Sequence, residues 1–174
     1  MQYYRHKSKT DEEKAIAKKK KTIVLQDGSK FVCDSEKEAR YYREVLKPLL
    51  DKGIIEKIDI HPQYLLIEAF DKAGVHHKRE IAELDYGVQI ANDGQYHLID
   101  VKDTYDIGLM DKVSLLKRTM FDRKFETVLK WVVYCKKFGG WISWEDYWER
   151  KKLEKKAIAK EKREAKKAAK EAKP

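Results

Sequence analysis

Only two cysteines occur in the 174 residues, Cys33 and Cys135, and neither belongs to a Cys-x-x-Cys or other metal-ligand spacing. A cysteine-held metal centre is therefore not expected, and a reducing cytosol suits this usage. No apolar run approaches the length of a bilayer span, and the amino terminus lacks the apolar stretch of a signal peptide. A cytoplasmic protein with no membrane partner is expected. No internal repeat is evident, and the length supports one domain of ordinary size.

Charge is what the chain has in excess: 40% of residues are charged and the net charge is +9. It is unevenly spread. Residues 1–22 hold eight Lys/Arg against three acids, and residues 150–174 hold twelve against four. The intervening 23–149 hold nineteen against twenty-three. A mildly acidic core thus carries two basic arms. Such arms suit a polyanion partner, most often nucleic acid, or serve as solubilising tails.

The stretch Arg79–Lys102 is the most informative. Asp93-Gly94 between two apolar-rich runs signals a hairpin. A two-residue loop there sets Asp85 opposite Lys102 and Gly87 opposite Asp100. Side chains alternate along a strand, so Asp85, Asp100 and Lys102 share one face, with Gly87 leaving room beside them. Two carboxylates on rigid strands can hold one or two Mg²⁺ ions, and a lysine beside them can stabilise charge on a phosphate. The same pattern also reads as an ordinary cross-strand salt bridge.

Upstream, residues 5–21 read as a mobile basic arm with a transient helix around Glu12–Lys21. Thr22–Gln26 and Ser29–Cys33 flank a second Asp-Gly turn. Ser35 with Glu38 forms a capping box, so a helix starts there and runs to about Lys52, stopping at Gly53. Its inward stripe is Tyr42, Val45, Leu46 and Leu49, and one turn back that stripe reaches Glu38. Glu38 either only caps the helix or looks across at the hairpin as a third acid. Ile54–Ile60 reads as a strand broken by His61-Pro62-Gln63, with extended structure resuming at Tyr64. His76 and His77 are adjacent on a strand, point to opposite faces and read as solvated loop-edge residues.

Downstream, a helix is expected over Leu109–Lys124 with Leu109, Val113, Leu116 and Met120 inward. Lys112, Lys117 and Arg118 on it are candidates for phosphate contact, or simply a charged outer face. Val128–Cys135 reads as a central strand. Ser143 caps a last helix anchored by Trp144 and Trp148; beyond Leu153 it is Ala, Lys, Glu and Arg. Trp141, Trp144 and Trp148 could stack on bases, though core packing is the commoner use.

A helix with Glu, then Asp, then a strand ending Asp-x-Lys, then a helix and a strand resembles the core of the PD-(D/E)XK nuclease superfamily. The segments Asp27-Gly28-Ser29-Lys30-Phe31, Ser35-Glu36-Lys37-Glu38-Ala39, His61-Pro62-Gln63, Leu84-Asp85-Tyr86 and Asp100-Val101-Lys102 are similar to a small phage and prophage family within it, Holliday-junction-resolvase-like. The likeness covers about residues 25–135. The family's Gln-Pro is reordered at 61–63, and Asp103 stands where Gly is more usual. The resemblance implies an α/β fold: a restriction-endonuclease-like mixed central sheet flanked by helices, here with a basic helical extension. Domain limits would be a basic arm at 1–21, the nuclease domain at 22–150 and the tail at 151–174.

The resemblance further implies Asp85 and Asp100 as Mg²⁺ ligands (Mn²⁺ a possible substitute), aided by the Val101 carbonyl. Lys102 would be the catalytic lysine, Glu38 would complete the acidic cluster, and Lys117 falls where such nucleases often carry a helical basic residue. No small-molecule cofactor is implied. The expected activity is endonucleolytic hydrolysis of DNA, selective for branched duplex such as four-way junctions, by a homodimer in a bacterial host's cytoplasm. The alternative is a non-catalytic nucleic-acid-binding or accessory subunit of a phage replication or packaging complex.

Overall fold

A five-stranded mixed sheet runs through the centre of the fold, ordered from Gly140–Ser143 through Leu129–Cys135, Tyr96–Val101 and Tyr86–Ile90 to Ile55–Ile60. The computed structural model describes residues 10–92, 94–105 and 110–171. The strands are β3 (Ile55–Ile60), β8 (Tyr86–Ile90), β9 (Tyr96–Val101), β10 (Leu129–Cys135) and β11 (Gly140–Ser143). Neighbours pair antiparallel except β9 and β10, which are parallel and joined through helix α4 (Lys112–Lys124). A parallel pair needs such a crossover. The β-branched and aromatic run of β10 is buried nearly throughout, as a strand covered on both sides must be.

Strand alternation sorts the core into two faces. Ile99 packs with Tyr86, Val88 and Val132 against α2 (Glu36–Tyr41), a π-helical turn (Tyr42–Leu46) and α3 (Lys47–Asp51). Leu98 packs with Leu129 and Trp131 against Phe121 of α4. Helices thus cover both faces of a mixed central sheet, as expected; of the 79–102 stretch, Tyr86–Ile90 and Tyr96–Val101 lie in this sheet, while Glu80–Glu83 pairs with Gln63–Ile67 outside it.

The α2 start carries the capping box in full. The Ser35 hydroxyl accepts from the Glu38 amide at 3.0 Å, and the Glu38 carboxylate accepts from the Ser35 amide at 3.3 Å. Gly53 at φ +68° ends α3, its N–H bonded to Leu50 and that of Ile54 to Leu49, the paired closure that a left-handed residue permits. Before it, α1 (Asp11–Lys21) is helical over almost the span expected for a helix in the basic arm; residues 5–9 of that arm lie outside the described residues. Arg43 ties α1 down by donating to the carbonyls of Lys20 and Thr22. The hairpin of β1 (Thr22–Val24) and β2 (Lys30–Val32) follows, and Tyr42 donates to the Val24 carbonyl.

The segment between β3 and β8 is one long antiparallel ribbon. β3 pairs with β8, and β4 (Gln63–Ile67) pairs with β7 (Glu80–Glu83). Ile60 faces Tyr86 and Gln63 faces Glu83, so one register continues across His61-Pro62 and Leu84-Asp85. The ribbon bends there: His61 has φ +49°, a left-handed backbone uncommon for a residue with a Cβ, and Pro62 cannot donate to a ladder. Beyond the bend, β5 (Phe70–Lys72) and β6 (Val75–His77) form the tip, turning at Ala73-Gly74.

Two expectations about packing change. In the central hairpin Tyr86 faces Ile99 and Gln89 faces Tyr96, and the Ile90 amide bonds the Gln95 carbonyl. The loop is therefore four residues, 91–94, not two; Asp93 lies outside the described residues. The register moves by two, which sets Asp85 opposite Asp100 instead of Lys102 but preserves the shared face, because only an odd slip exchanges faces. In α4 the inward side is Leu115, Arg118 and Phe121, with Met120 of the expected stripe also packed on the core, while Val113 and Leu116 are 55% and 60% exposed. Leu109 lies outside the described residues. Phe121 wins because its ring fills the space between Tyr64, Leu98 and Trp131.

The last helix, α5 (Trp144–Glu171), begins under the Ser143 hydroxyl, which accepts from the Asp146 amide. Trp144 packs edge-on to Trp131, and Trp141 meets Tyr41 and Tyr134, so both serve the core. Trp148 is 37% exposed. Among the described residues, no helix is long and apolar enough to cross a membrane.

Candidate active site at the ribbon bend

The bend opens the β8–β9 ladder one residue early. Asp85, just before β8, fills the gap with its side chain: its Oδ2 accepts from the Val101 amide at 2.5 Å. In a strand the carbonyl of a residue points to the same side as its N–H. The Val101 carbonyl is thus on the Asp85 side of β9, as the ligand expectation requires. Burial, and then the negative charge of Asp100, push the Asp85 carboxyl well above its usual range, against the pull of the Val101 amide. A half-buried acid pair placed in this way is relieved by a proton or by a cation.

Asp100 on β9 and Lys102 just past its end are two apart in extended chain and so share a face. Their side chains meet at 2.5 Å and are only 15% and 19% exposed. Lys102 pairs with Asp100 along its own strand, not with Asp85 across the hairpin. Its Nζ also lies 5.0 Å from the centre of the Trp131 ring. The room expected at Gly87 is taken: a Cβ there would meet the Tyr96 hydroxyl at 1.7 Å. Glycine lets the Tyr96 ring cross β8 and donate to Asp59 at 2.8 Å.

Glu38 comes from the other face of the sheet and is 1% exposed. Its Oε2 accepts from the amides of Asp34 and Ser35, and its Oε1 lies 2.9 Å from His61 Nε2. Capping and a place near Asp85 are therefore both true of it. Burial alone would lower the His61 pKa, but the bond to Glu38 and the charges of Glu38, Asp34 and Asp85 outweigh it and hold the imidazole above its ordinary value. Glu38, His61 and Asp85 each offer a ligand atom, all within 4.8 Å of one another.

On the α4 face a small pocket of about 60 Å³ adjoins Asp100 and Lys102, walled by Glu83, Ser114, Lys117 and Arg118. Lys117 Nζ is anchored on the Ile81 carbonyl at 2.9 Å, with Glu80 3.6 Å away. Arg118 does not project outward: its guanidinium lies 4.5 Å from the Trp131 ring centre and pairs with Glu145 and Asp122. It shapes the pocket wall. Lys112, at the start of α4, is exposed. Asp103 is held away by Lys37 at 3.1 Å. His76 and His77 are exposed, as expected.

The structure thus gathers Glu38, Asp85, Asp100, Val101 and Lys102 at one bend, places Lys117 and Arg118 at an adjoining pocket, and leaves Lys112 on the surface. Sequence reasoning missed His61. Its signal was present, a polar residue before proline at a strand break, but it reads there as punctuation.

A family model described as a protein of unknown function, DUF1064, matches residues 13–140. The chain belongs to this DUF1064 family. The match ends before α5, so the DUF1064 region holds every residue of the bend and the pocket. No curated protein and no solved structure matches the chain.

Proposed function

We propose that the protein is a Mg²⁺-dependent endodeoxyribonuclease, with Mn²⁺ as a substitute ion, that hydrolyses phosphodiester bonds in branched duplex DNA such as four-way junctions. The observation that carries this reading is the Asp85–Asp100 pair at the ladder opening, half-buried, mutually repelling and flanked by Lys102. The order α2 with Glu38, Asp85 before β8, Asp100 and Lys102 at the end of β9, then α4 and parallel β10 supports the PD-(D/E)XK resemblance and a restriction-endonuclease-like core.

The donor set fits Mg²⁺. Carboxylate and carbonyl oxygens are the ligands a small hard cation prefers, and Asp85 is raised by burial and by a neighbouring charge that a cation would neutralise. Asp85, Asp100 and the Val101 carbonyl would hold it. Bound there, Mg²⁺ would polarise a phosphoryl oxygen and lower the pKa of a coordinated water. Lys102 supplies positive charge against that building on the phosphate, or positions the attacking hydroxide. Lys117 and the exposed Lys112 offer phosphate contacts beside the pocket, and the basic termini add sequence-independent ones. Among the described residues no base-reading element stands out, so DNA shape is the expected source of selectivity. By resemblance, cleavage leaves a 3′-hydroxyl and a 5′-phosphate, and a homodimer acts in phage recombination or replication within the bacterial cytoplasm.

The test is cleavage of labelled linear duplex, flap, fork and four-way junction with Mg²⁺ and with chelator. Mg²⁺-dependent cutting, strongest on the branched substrates, is expected. Binding without cutting under any divalent ion would overturn the reading and favour an accessory nucleic-acid-binding subunit.

A further inference from the structure

His61 is brought to the bend with its ring already aimed. The left-handed backbone at φ +49° sets its direction, and Phe31 packs edge-on against it at 5.1 Å. The ladder register places it opposite Asp85, whose carbonyl accepts the His61 amide at 3.2 Å. Cross-strand partners share a face, so imidazole and carboxylate lie together. Glu38 enters from α2, with Oε2 committed to two backbone amides and Oε1 turned to His61 Nε2. On the far side of the ring, Nδ1 lies 3.7 Å from Glu83. A carboxylate behind the second ring nitrogen is the usual support of a metal-bound imidazole.

The spacing suits an ion. Octahedral bonds of about 2.1 Å put adjacent donor atoms about 3 Å apart and opposite ones about 4.2 Å apart. Glu38 Oε1 and His61 Nε2 are 2.9 Å apart, the adjacent-donor spacing, and an Asp85 oxygen lies within 4.8 Å of both, so a small inward shift closes the set. The donor chemistry differs from that of the Asp85–Asp100 pair. One imidazole nitrogen with two carboxylates favours a borderline first-row ion over Mg²⁺, which prefers oxygen and sheds water reluctantly.

We propose that Glu38, His61 and Asp85 bind a second divalent cation, a transition ion of the Mn²⁺ or Zn²⁺ kind, separate from the Asp85–Asp100 position and sharing Asp85 with it. The inference rests on the nuclease reading only for the neighbouring Mg²⁺ position. The His61 nitrogen bond is its own claim, and Glu38 thereby acquires a job that capping alone does not give it.

The experiment is pulsed electron paramagnetic resonance on the full chain with added Mn²⁺, together with a count of bound ions by equilibrium dialysis. Two bound Mn²⁺ per chain and an imidazole-type nitrogen-14 modulation are expected. His61→Gln should abolish the modulation and reduce the count to one, with the melting curve checked for an intact fold. The double variant His76→Gln, His77→Gln, on the exposed ribbon tip, should keep both signals. If His61→Gln does not fold, Glu38→Gln replaces it and should lower the count likewise. Absence of nitrogen modulation in the unaltered protein, or its loss in the His76/His77 variant, would overturn the proposal. None of these readouts is cleavage, so the second site and the nuclease reading can fail separately.

Discussion

Glu38 and Asp100 approach Asp85 from opposite faces of the sheet and are held in opposite ways. Glu38 is almost wholly buried, yet each of its oxygens has a partner: two backbone amides on one, His61 on the other. Its surroundings are those of a structural residue. Asp100 lies beside Asp85, a like charge, and is compensated by one lysine at the mouth of a pocket. That side stores unfavourable electrostatics. The contrast separates a half that stabilises the fold from a half that the fold tolerates, and the second is where chemistry is expected.

Glu38→Ala is the change that should break the stable half. It leaves two amides and His61 without their acceptor in a buried place, and a loss of about 3 kcal/mol is expected. Glu38→Gln keeps an acceptor for the amides and should lose much less. Thermal or denaturant unfolding of the two variants measures the difference. Equal losses would mean that charge, not hydrogen bonding, is what Glu38 contributes.

Asp85→Asn should do the reverse and raise stability near pH 7. The carboxyl pKa is raised in the folded state, so its contribution is fully present below the unfolded value near 3.8 and is lost as pH rises through the folded value. The advantage of asparagine should therefore be largest at neutral and alkaline pH and vanish as pH falls towards 4. Each kcal/mol recovered would appear as about 3 °C in Tm. Added Mg²⁺ should stabilise the unaltered chain and not the variant. A gain that grows as pH falls would contradict this account of Asp85.

The stable half was also the legible half. Ser35 with Glu38 is a local signal, and the helix start, its stripe and its Gly53 stop all follow from sequence neighbours. The other half depends on long-range pairing. The hairpin register moved by two because the chain turns over four residues, and the site survived only because an even shift keeps faces. From sequence the bend at His61-Pro62 reads as an interruption, since nothing local says that the ribbon resumes its register beyond it. Sequence periodicity leaves Arg118 as either a phosphate contact or part of a charged outer face, because it cannot foresee a guanidinium packed between α4 and Trp131.

The smallest effect is expected from the tail. Removing residues 154–174 deletes nine Lys/Arg and four acids. Ile158 within it is 52% exposed, so little core is lost. Each phosphate contact removed should flatten the dependence of log K on log salt by about 0.9 on duplex DNA. Equal slopes for the full and shortened chains would show that the tail does not touch DNA.

The central claim is that Asp85 and Asp100 act together on a phosphodiester through a bound divalent ion. Mg²⁺-dependent nicking of a four-way junction by Asp85→Asn and Asp100→Asn, at saturating enzyme and with melting curves recorded alongside, tests it most directly. Each variant should lose activity by about a thousandfold or more while remaining folded. Near-normal nicking by either one, in a folded protein, would contradict the assignment.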